Sequence, residues 1–376
     1  MAVDAQPKGE AMTPQGKGMA QKAVIVPLKA ESWEFRPGAV EFMDSAGAPA
    51  MKIVGDGLVV LKYTDFSDGT IEFDDVLGEK GFAAFYFRWQ DTLENENFYF
   101  RTPVGAGHPY AIAGVQYAPT IKGVNCWDLM YHYQTGARYD KGTPSHVRLV
   151  ISGKQMRVYV NNQQEPTLVV PRLEGNTTHG TLAISGNRII SHLVMRPGQV
   201  EDLSPAAGVD PTSVDTRYLR RWQVTRVDTM PGRVDFSLSM LPGKETVWTP
   251  ILAERRGLVN LTRLYGGNPS NRNQPRRICW LRTTIHADSA RLVNLRLGFV
   301  DDVWMFLNGA WLYADKNHYG EPIAKKPAGR LSLDNAQVTM PLRKGDNELL
   351  VGVECDFWGW GIAARLDDLD GIELER

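Results

Sequence analysis

Apolar and polar positions alternate with a period of two along most of this chain, the signature of strands that turn one face to a core. The pattern is sharpest over residues 298–313, GFVDDVWMFLNGAWLY, where Val303, Met305 and Leu307 interleave with Trp304, Phe306 and Asn308. Asn308-Gly309 follows directly, a residue pair that readily supplies the two positive φ angles of a two-residue hairpin turn. The spacing predicts two strands joined at 308–309, with acids before the turn and aromatics around it. Between Trp33 and about Arg196 comparable runs recur: LVVLKYT, TIEFDDV, FAAFYFRW, NFYFRT, IAGVQYA, CWDLMYHY, HVRLVIS, QMRVYVN, TLVVP and TLAIS. Turn residues separate nearly all of them. Short strands at this spacing, with no helical period between them, predict an antiparallel sandwich or barrel.

Residues 197–216, PGQVEDLSPAAGVDPTSVDT, abandon the alternation for Pro, Gly, Ser and acids, and read as a linker. The strand pattern then resumes in RRWQVTRV, RVDFSLSM, RICWLRTTIHA, RLVNLRLGF, DVWMFLN, QVTMPL and ELLVGVECDFWGW. The expected architecture is all-β: one antiparallel β-sandwich over 23–196, the linker, and a second over 217–376, with a disordered leader at 1–22. TPILAERRGLVNLTRLYG interrupts the second half with apolar positions at mixed spacing and reads as a short helix or a structured loop. No period of 20 to 50 residues recurs, which argues against propellers and solenoids.

Composition narrows the function classes. The 376 residues are 43% hydrophobic and 10% aromatic, enough for two cores. Lys and Arg total 42 against 43 acids, a net charge of -1, so there is no broad positive field for nucleic acid or an anionic membrane, and the expected partner is neutral. No apolar run approaches the roughly 18 residues of a membrane-spanning helix. The leader is rich in Gly, Gln, Lys and Ala without an apolar stretch, as after removal of a signal peptide, so export is permitted. The three cysteines include no C-x-x-C pair, which disfavours zinc. Cys279 and Cys355 are either buried thiols or partners across neighbouring strands.

Residues 81–196 resemble a concanavalin A-like or laminin G-like jelly roll of the 3-keto-disaccharide hydrolase type found in secreted bacterial proteins. The resemblance is carried by GFAAFYFRWQD, FYFRT, GVQYAP, GVNCWDL and the hairpin HVRLVISGKQMRVYVNN. Residues 217–376 resemble the galactose-binding-like jelly roll appended to many glycoside hydrolases, through RRWQV, GLVNL, GFVDDVWMFLNG, KGDNELLVGV and GWGIAARLDD. Such folds host lectins, carbohydrate-binding modules, hydrolases and lyases, so the resemblance implies a sugar ligand more than a reaction. Glucanases of this class carry Glu-x-Asp-x-x-Glu on one strand. That pattern is absent, and Glu94 with Glu96 is the closest pair.

Two groups of residues have the chemistry for sugars, which stack their C–H faces on aromatic rings and are held by planar polar groups. The first is Arg101, His108, Gln116, Tyr117 and Trp127, around the Gly-rich segment GAGHPYAIAG. The second is Asp301, Asp302, Asn308, Trp311, Asn317, His318 and Tyr319, with Trp358 and Trp360 from the last long strand. Trp358 and Trp360, at alternate positions with Gly between, form either a stacking platform on one face or core filling. Asp301 and Asp302 are candidate ligands of a structural calcium. Asp91, Glu96 and Asp128 are candidate general acids or bases. No G-x-S-x-G, H-E-x-x-H, Walker A or G-x-G-x-x-G occurs in a strand-turn-helix setting. The expectation is an exported or cell-envelope protein that binds an oligosaccharide or polysaccharide. The alternatives are a glycoside hydrolase or lyase acting on an oligosaccharide or keto-sugar, with Arg101 orienting the substrate, and a structural or assembly protein docking through its Trp-rich faces.

Overall fold

The computed structural model describes residues 22–45, 47–79, 81–102, 107–230, 235–268 and 275–375. The expected leader lies, apart from Lys22, outside the described residues. Among these residues the chain is all-β, as the alternation predicts, and forms two antiparallel β-sandwiches.

One sheet of the first sandwich runs, from edge to edge, through Leu168–Val170, Gln155–Val160, Pro144–Ser152, Gly69–Leu77, Arg188–Pro197, Ala48–Ile53 and Val40–Ser45. The facing sheet runs through Val124–Asn125, Val115–Ile121, Asn95–Arg101, Phe82–Trp89, Thr181–Ser185, Leu58–Leu61 and Trp33–Phe35. Their inner faces meet in one apolar core, where Phe73 of one sheet stacks on Phe85 of the other at 4.5 Å. Strand alternation sorts the second sheet cleanly. Phe85, Phe87, Phe98, Phe100 and Tyr117 point into this core, while their neighbours Ala84, Tyr99 and Ala118 form a separate cluster on the opposite face. A buried pair ties the first sheet together: Arg188 Nε donates to Asp75 Oδ1 at 3.0 Å, with both side chains fully buried.

Residues 197–216 contribute no strand beyond Pro197. They run along the outer face of the first sandwich, where Arg157 pairs with Asp202 at 2.6 Å and Leu203 is buried against Val150 and Tyr159.

The second sandwich has a large sheet ordered Thr249–Leu252, Arg221–Val224, Arg277–Ala287, Gly345–Cys355, Asp301–Leu307, Ala310–Asn317. A four-stranded sheet of Leu258–Asn260, Gly361–Leu366, Arg291–Phe299 and Ala336–Leu342 faces it. The expected hairpin is present, with Asn308 and Gly309 at φ 53° and 79°. Val303, Met305 and Leu307 enter the core between these sheets, whereas Trp304 and Phe306 enter a satellite cluster on the other face with Trp280. The mixed-spacing segment resolves into a strand at Thr249–Leu252, a 3-10 turn at Arg255–Gly257, a strand at Leu258–Asn260 and a five-residue helix, Leu261–Tyr265. Cys126, Cys279 and Cys355 are buried free thiols; Cys279 and Cys355 lie on adjacent strands without pairing.

The two sandwiches share buried contacts. Leu258, Val300, Leu331 and Ala363 of the second belong to the apolar core cluster of the first.

Trp360 is fully buried in the core of the second sandwich. Replacing it with Ala is expected to cost about 3–5 kcal/mol, measured by urea unfolding. A cost below about 1 kcal/mol contradicts a packed core position.

A candidate ligand cavity between the sandwiches

The outer face of the second sheet of the first sandwich carries Phe82, Ala84 and Tyr86 on one strand and Asn97, Tyr99 and Arg101 on the next. Alternation places these six on one surface, opposite the phenylalanines of the core. Tyr319, Phe357 and Trp358 of the second sandwich close over this surface and, with Asn125, Trp127 and Ser185, enclose a cavity of about 290 Å³. Its walls are aromatic: Trp127 meets Tyr319 edge-on at 4.7 Å, and Tyr319 lies parallel to Phe357 at 6.3 Å. Its floor is polar. Arg101 Nη2 donates to Gln116 Oε1 at 2.5 Å, Tyr99 donates to the same oxygen at 2.7 Å, and Gln116 Nε2 donates to the Trp127 carbonyl at 2.8 Å. Asn125 Nδ2 donates to Asn97 Oδ1 at 3.2 Å, while Asn125 Oδ1 and Arg101 Nη1 have no hydrogen-bond partner among the described residues.

The cavity unites members of the two groups read from the sequence. Arg101, Trp127, Tyr319 and Trp358 line it, and Gln116 supports Arg101 from below. The other expected ligand contacts lie elsewhere. Tyr117 follows Gln116 on the same strand, so it points into the core, where its hydroxyl donates to Glu96 Oε2 at 2.6 Å. His108 is exposed beside Tyr110. Asn308 clips its own hairpin to Asn347 at 2.9 Å, and Trp311 packs on Phe306 and Phe236 on the far face of the large sheet. Asn317 is a buried brace that donates to the Phe299 carbonyl at 2.6 Å and accepts from Lys325 N at 2.7 Å. Trp358 and Trp360 do not share a face: Trp358 has φ 59°, which breaks the strand alternation and sends its ring to the cavity while Trp360 enters the core. Phe82, Tyr86, Asn97, Tyr99, Asn125 and Phe357 escaped the sequence reading, although NENFYFR places Asn97, Tyr99 and Arg101 on one strand face.

The candidate acids are committed to the fold. Asp91 Oδ1 accepts from Leu93 N and Glu94 N at 2.7 and 2.9 Å, as an exposed turn cap. Glu96 faces the core, and burial raises its pKa to about 7. Asp128 accepts from Leu129 N at 3.0 Å and Gly359 N at 2.9 Å, and burial raises its pKa to about 7 as well. Asp301 accepts from Asp356 N at 2.8 Å and Phe357 N at 3.1 Å, with its pKa pushed well up by burial and then by the Glu354 charge.

Asp302, His318 and Glu354 place their ligand atoms within 4.8 Å of one another. Calcium takes six to eight oxygen ligands, whereas here the carboxylates already meet cations. Asp302 accepts from His318 at 2.6 Å and Arg276 at 3.1 Å and lies 3.5 Å from Lys316, and Arg276 also binds Glu354. With Asp301 holding backbone amides, the residues present do not fit calcium; they form an ion-pair network.

No family model and no curated protein matches the chain. Solved structures similar to it include the carbohydrate binding module CBM66 from Bacillus subtilis, at 16% identity and TM-score 0.32 over 44% of this chain and 95% of that one. A protein of unknown function with a galectin-like fold, also from Bacillus subtilis, matches at 11% and TM-score 0.35 over 50% and 99%. A protein named as a putative glycosyl hydrolase, from Parabacteroides distasonis, matches at 13% and TM-score 0.34 over 47% and 100%. Each covers half of this chain or less, and likenesses of this size carry no argument about activity.

Glu96 and Asp128 each hold a proton more tightly than an unfolded carboxylate, which titrates near 4. The stability this contributes is fully present below about pH 4 and is lost as pH rises through about 7. Urea unfolding between pH 5 and 8 is expected to show stability falling, by up to about 1.4 kcal/mol per pH unit for each group. Glu96→Gln, which cannot ionise, should make the fall shallower. Parallel slopes for wild type and variant would rule out Glu96 as a source.

Proposed function

We propose that this protein binds a glycan in the cavity between its two sandwiches, in an exported or cell-envelope setting, and that it does so without cleaving it. The observation that carries this reading is the lining: aromatic walls, an Arg and amide floor with an unpartnered donor and acceptor, and no carboxylate among the described lining residues. A sugar ring offers C–H faces to Trp127, Phe357 and Trp358, and hydroxyls to the arginine and amide side chains of the floor. Hydrolysis by the usual paired-carboxylate route needs two acids flanking the bond, about 5 to 10 Å apart, with one free to give a proton. The buried acid that follows Trp127, Asp128, has both oxygens occupied by backbone amides. No helix among the described residues is long and apolar enough to cross a membrane.

Calorimetric titration of the whole chain against a panel of oligosaccharides, with product analysis of every mixture that gives heat, tests this. The expected result is one-to-one binding with the sugar recovered intact. Trp358→Ala should weaken that binding by about tenfold or more, about 1.4 kcal/mol, with little change in unfolding. Release of a shorter sugar that is lost in Asp128→Asn would replace binding by hydrolysis. No heat across the panel would sink the reading.

A further inference from the structure

The cavity carries positive charge that no carboxylate among the described residues pairs with. Arg101 is only 8% exposed, yet its guanidinium has neutral partners: Gln116 Oε1 at 2.5 Å, the Tyr99 hydroxyl at 3.2 Å, and the rings of Tyr99 and Phe82 at 5.3 and 5.9 Å. Its Nη1 has no hydrogen-bond partner among the described residues. Arg330, 6% exposed, sits behind the cavity wall with its guanidinium 5.0 Å from the Trp127 ring centre and 5.6 Å from that of Tyr319. Its hydrogen bond is a long one to the Ala328 carbonyl at 3.5 Å, and its Nε is unpartnered. Neither arginine pairs with a carboxylate among the described residues.

The rest of the molecule treats buried arginines differently. Arg188 is paired with Asp75, Arg88 with Asp68 at 2.8 Å, and Arg255 faces Glu174 at 3.9 Å. Burying a charge without a counter-charge is costly, and folded proteins ordinarily supply the partner. Arg277 also lacks a carboxylate but donates to the Tyr265 carbonyl at 3.2 Å; Arg101 and Arg330, more deeply buried, flank one cavity. They also repel one another: burial first, and then the Arg101 charge, push the Arg330 pKa down. Asp128, the acid that bears on both Tyr99 and Arg330, is itself raised to about 7 by burial and so offsets them only in part near neutral pH. The whole-chain charge of -1 points to a neutral partner, but it averages over the surface and says nothing of this cavity.

We propose that the ligand of this cavity is an acidic sugar, whose anionic group is drawn to the uncompensated charge of the Arg101 guanidinium while its ring lies against Trp127 and Trp358. The inference rests on the glycan-binding reading and narrows it to a substrate class. The guanidinium fork suits an oxyanion, and two sugar chemistries supply one, the carboxylate of a uronate and a sulfate ester.

The test uses the whole chain and two matched pairs of probes: tetragalacturonate with its methyl ester, and a sulfated galactan tetrasaccharide with its desulfated form. In calorimetric titrations at about 50 mM salt, one anionic probe is expected to bind about tenfold or more tightly than its neutral partner. The gap should narrow as salt rises. Which pair shows the gap identifies the anion. Arg101→Gln should shrink the gap to about threefold or less, by weakening the anionic probe more than the neutral one. The wild-type comparison needs no variant, so it stands even if Arg101→Gln fails to fold. Equal affinity for charged and neutral probes overturns the acidic-sugar inference and leaves glycan binding intact. No binding of any of the four, together with a blank neutral panel, overturns both.

Discussion

The cavity depends on how residues 355–359 are held. Their backbone groups are fixed by three buried side chains or segments that are distant in sequence. Asp301 takes the amides of Asp356 and Phe357 at 2.8 and 3.1 Å. Asn268 exchanges two backbone bonds with Trp358, at 2.7 and 3.2 Å, and its side chain donates to the carbonyls of Cys355 and Asp356. Asp128, from the other sandwich, takes the amide of Gly359 at 2.9 Å. A Cβ at Gly359 would lie 2.4 Å from Asp128 Oδ1, so only glycine permits the approach. The same clamp explains Trp358 at φ 59°, a conformation that bulky residues rarely adopt and that persists where surrounding bonds determine it. Phe357 and Trp358 are thereby fixed before any ligand arrives, and fewer rotamers are lost on binding.

The clamp also joins the two sandwiches, and it does not act alone. Leu331 N donates to the Asp128 carbonyl at 3.0 Å, Lys122 donates to the Leu264 carbonyl at 2.8 Å, and Arg263 reaches the Glu174 carbonyl at 2.7 Å. These bonds surround the apolar contact made by Leu258, Val300, Leu331 and Ala363. Floor and wall of the cavity thus come from different halves of the chain and are brought together by the buried contact.

This division explains what could be read in advance. Strands such as Asn95–Arg101 and Asp301–Leu307 follow from alternation because the backbone imposes a period of two wherever one face is buried. The same rule separates Tyr117 from Gln116 and puts Asn97 and Tyr99 beside Arg101, a deduction open to the sequence that the aromatic grouping obscured. The juxtaposition of Trp127 with Tyr319 and Trp358 had no local signal, since the contact spans some two hundred positions and rests on glycines whose role appears only in the packing. The acids depend on packing for a related reason. Asp128, Glu96 and Asp301 look like chemistry in a sequence, whereas in the fold Asp128 and Asp301 hold backbone amides and Glu96 accepts from the Tyr117 hydroxyl inside the core.

That use of the acids bears on mechanism. A carboxylate that acts as general acid or base must gain and lose a proton during turnover, and must be free to meet the substrate. At Asp128 each oxygen holds an amide, and the one on Gly359 fixes the segment bearing Trp358. Reorienting Asp128 toward a substrate would release the segment that carries Trp358. Structural and catalytic use are therefore in competition at this residue, and the geometry serves the structural one. The acids hold the cavity together from outside its lining, and the arginines within and behind its wall meet no carboxylate among the described residues.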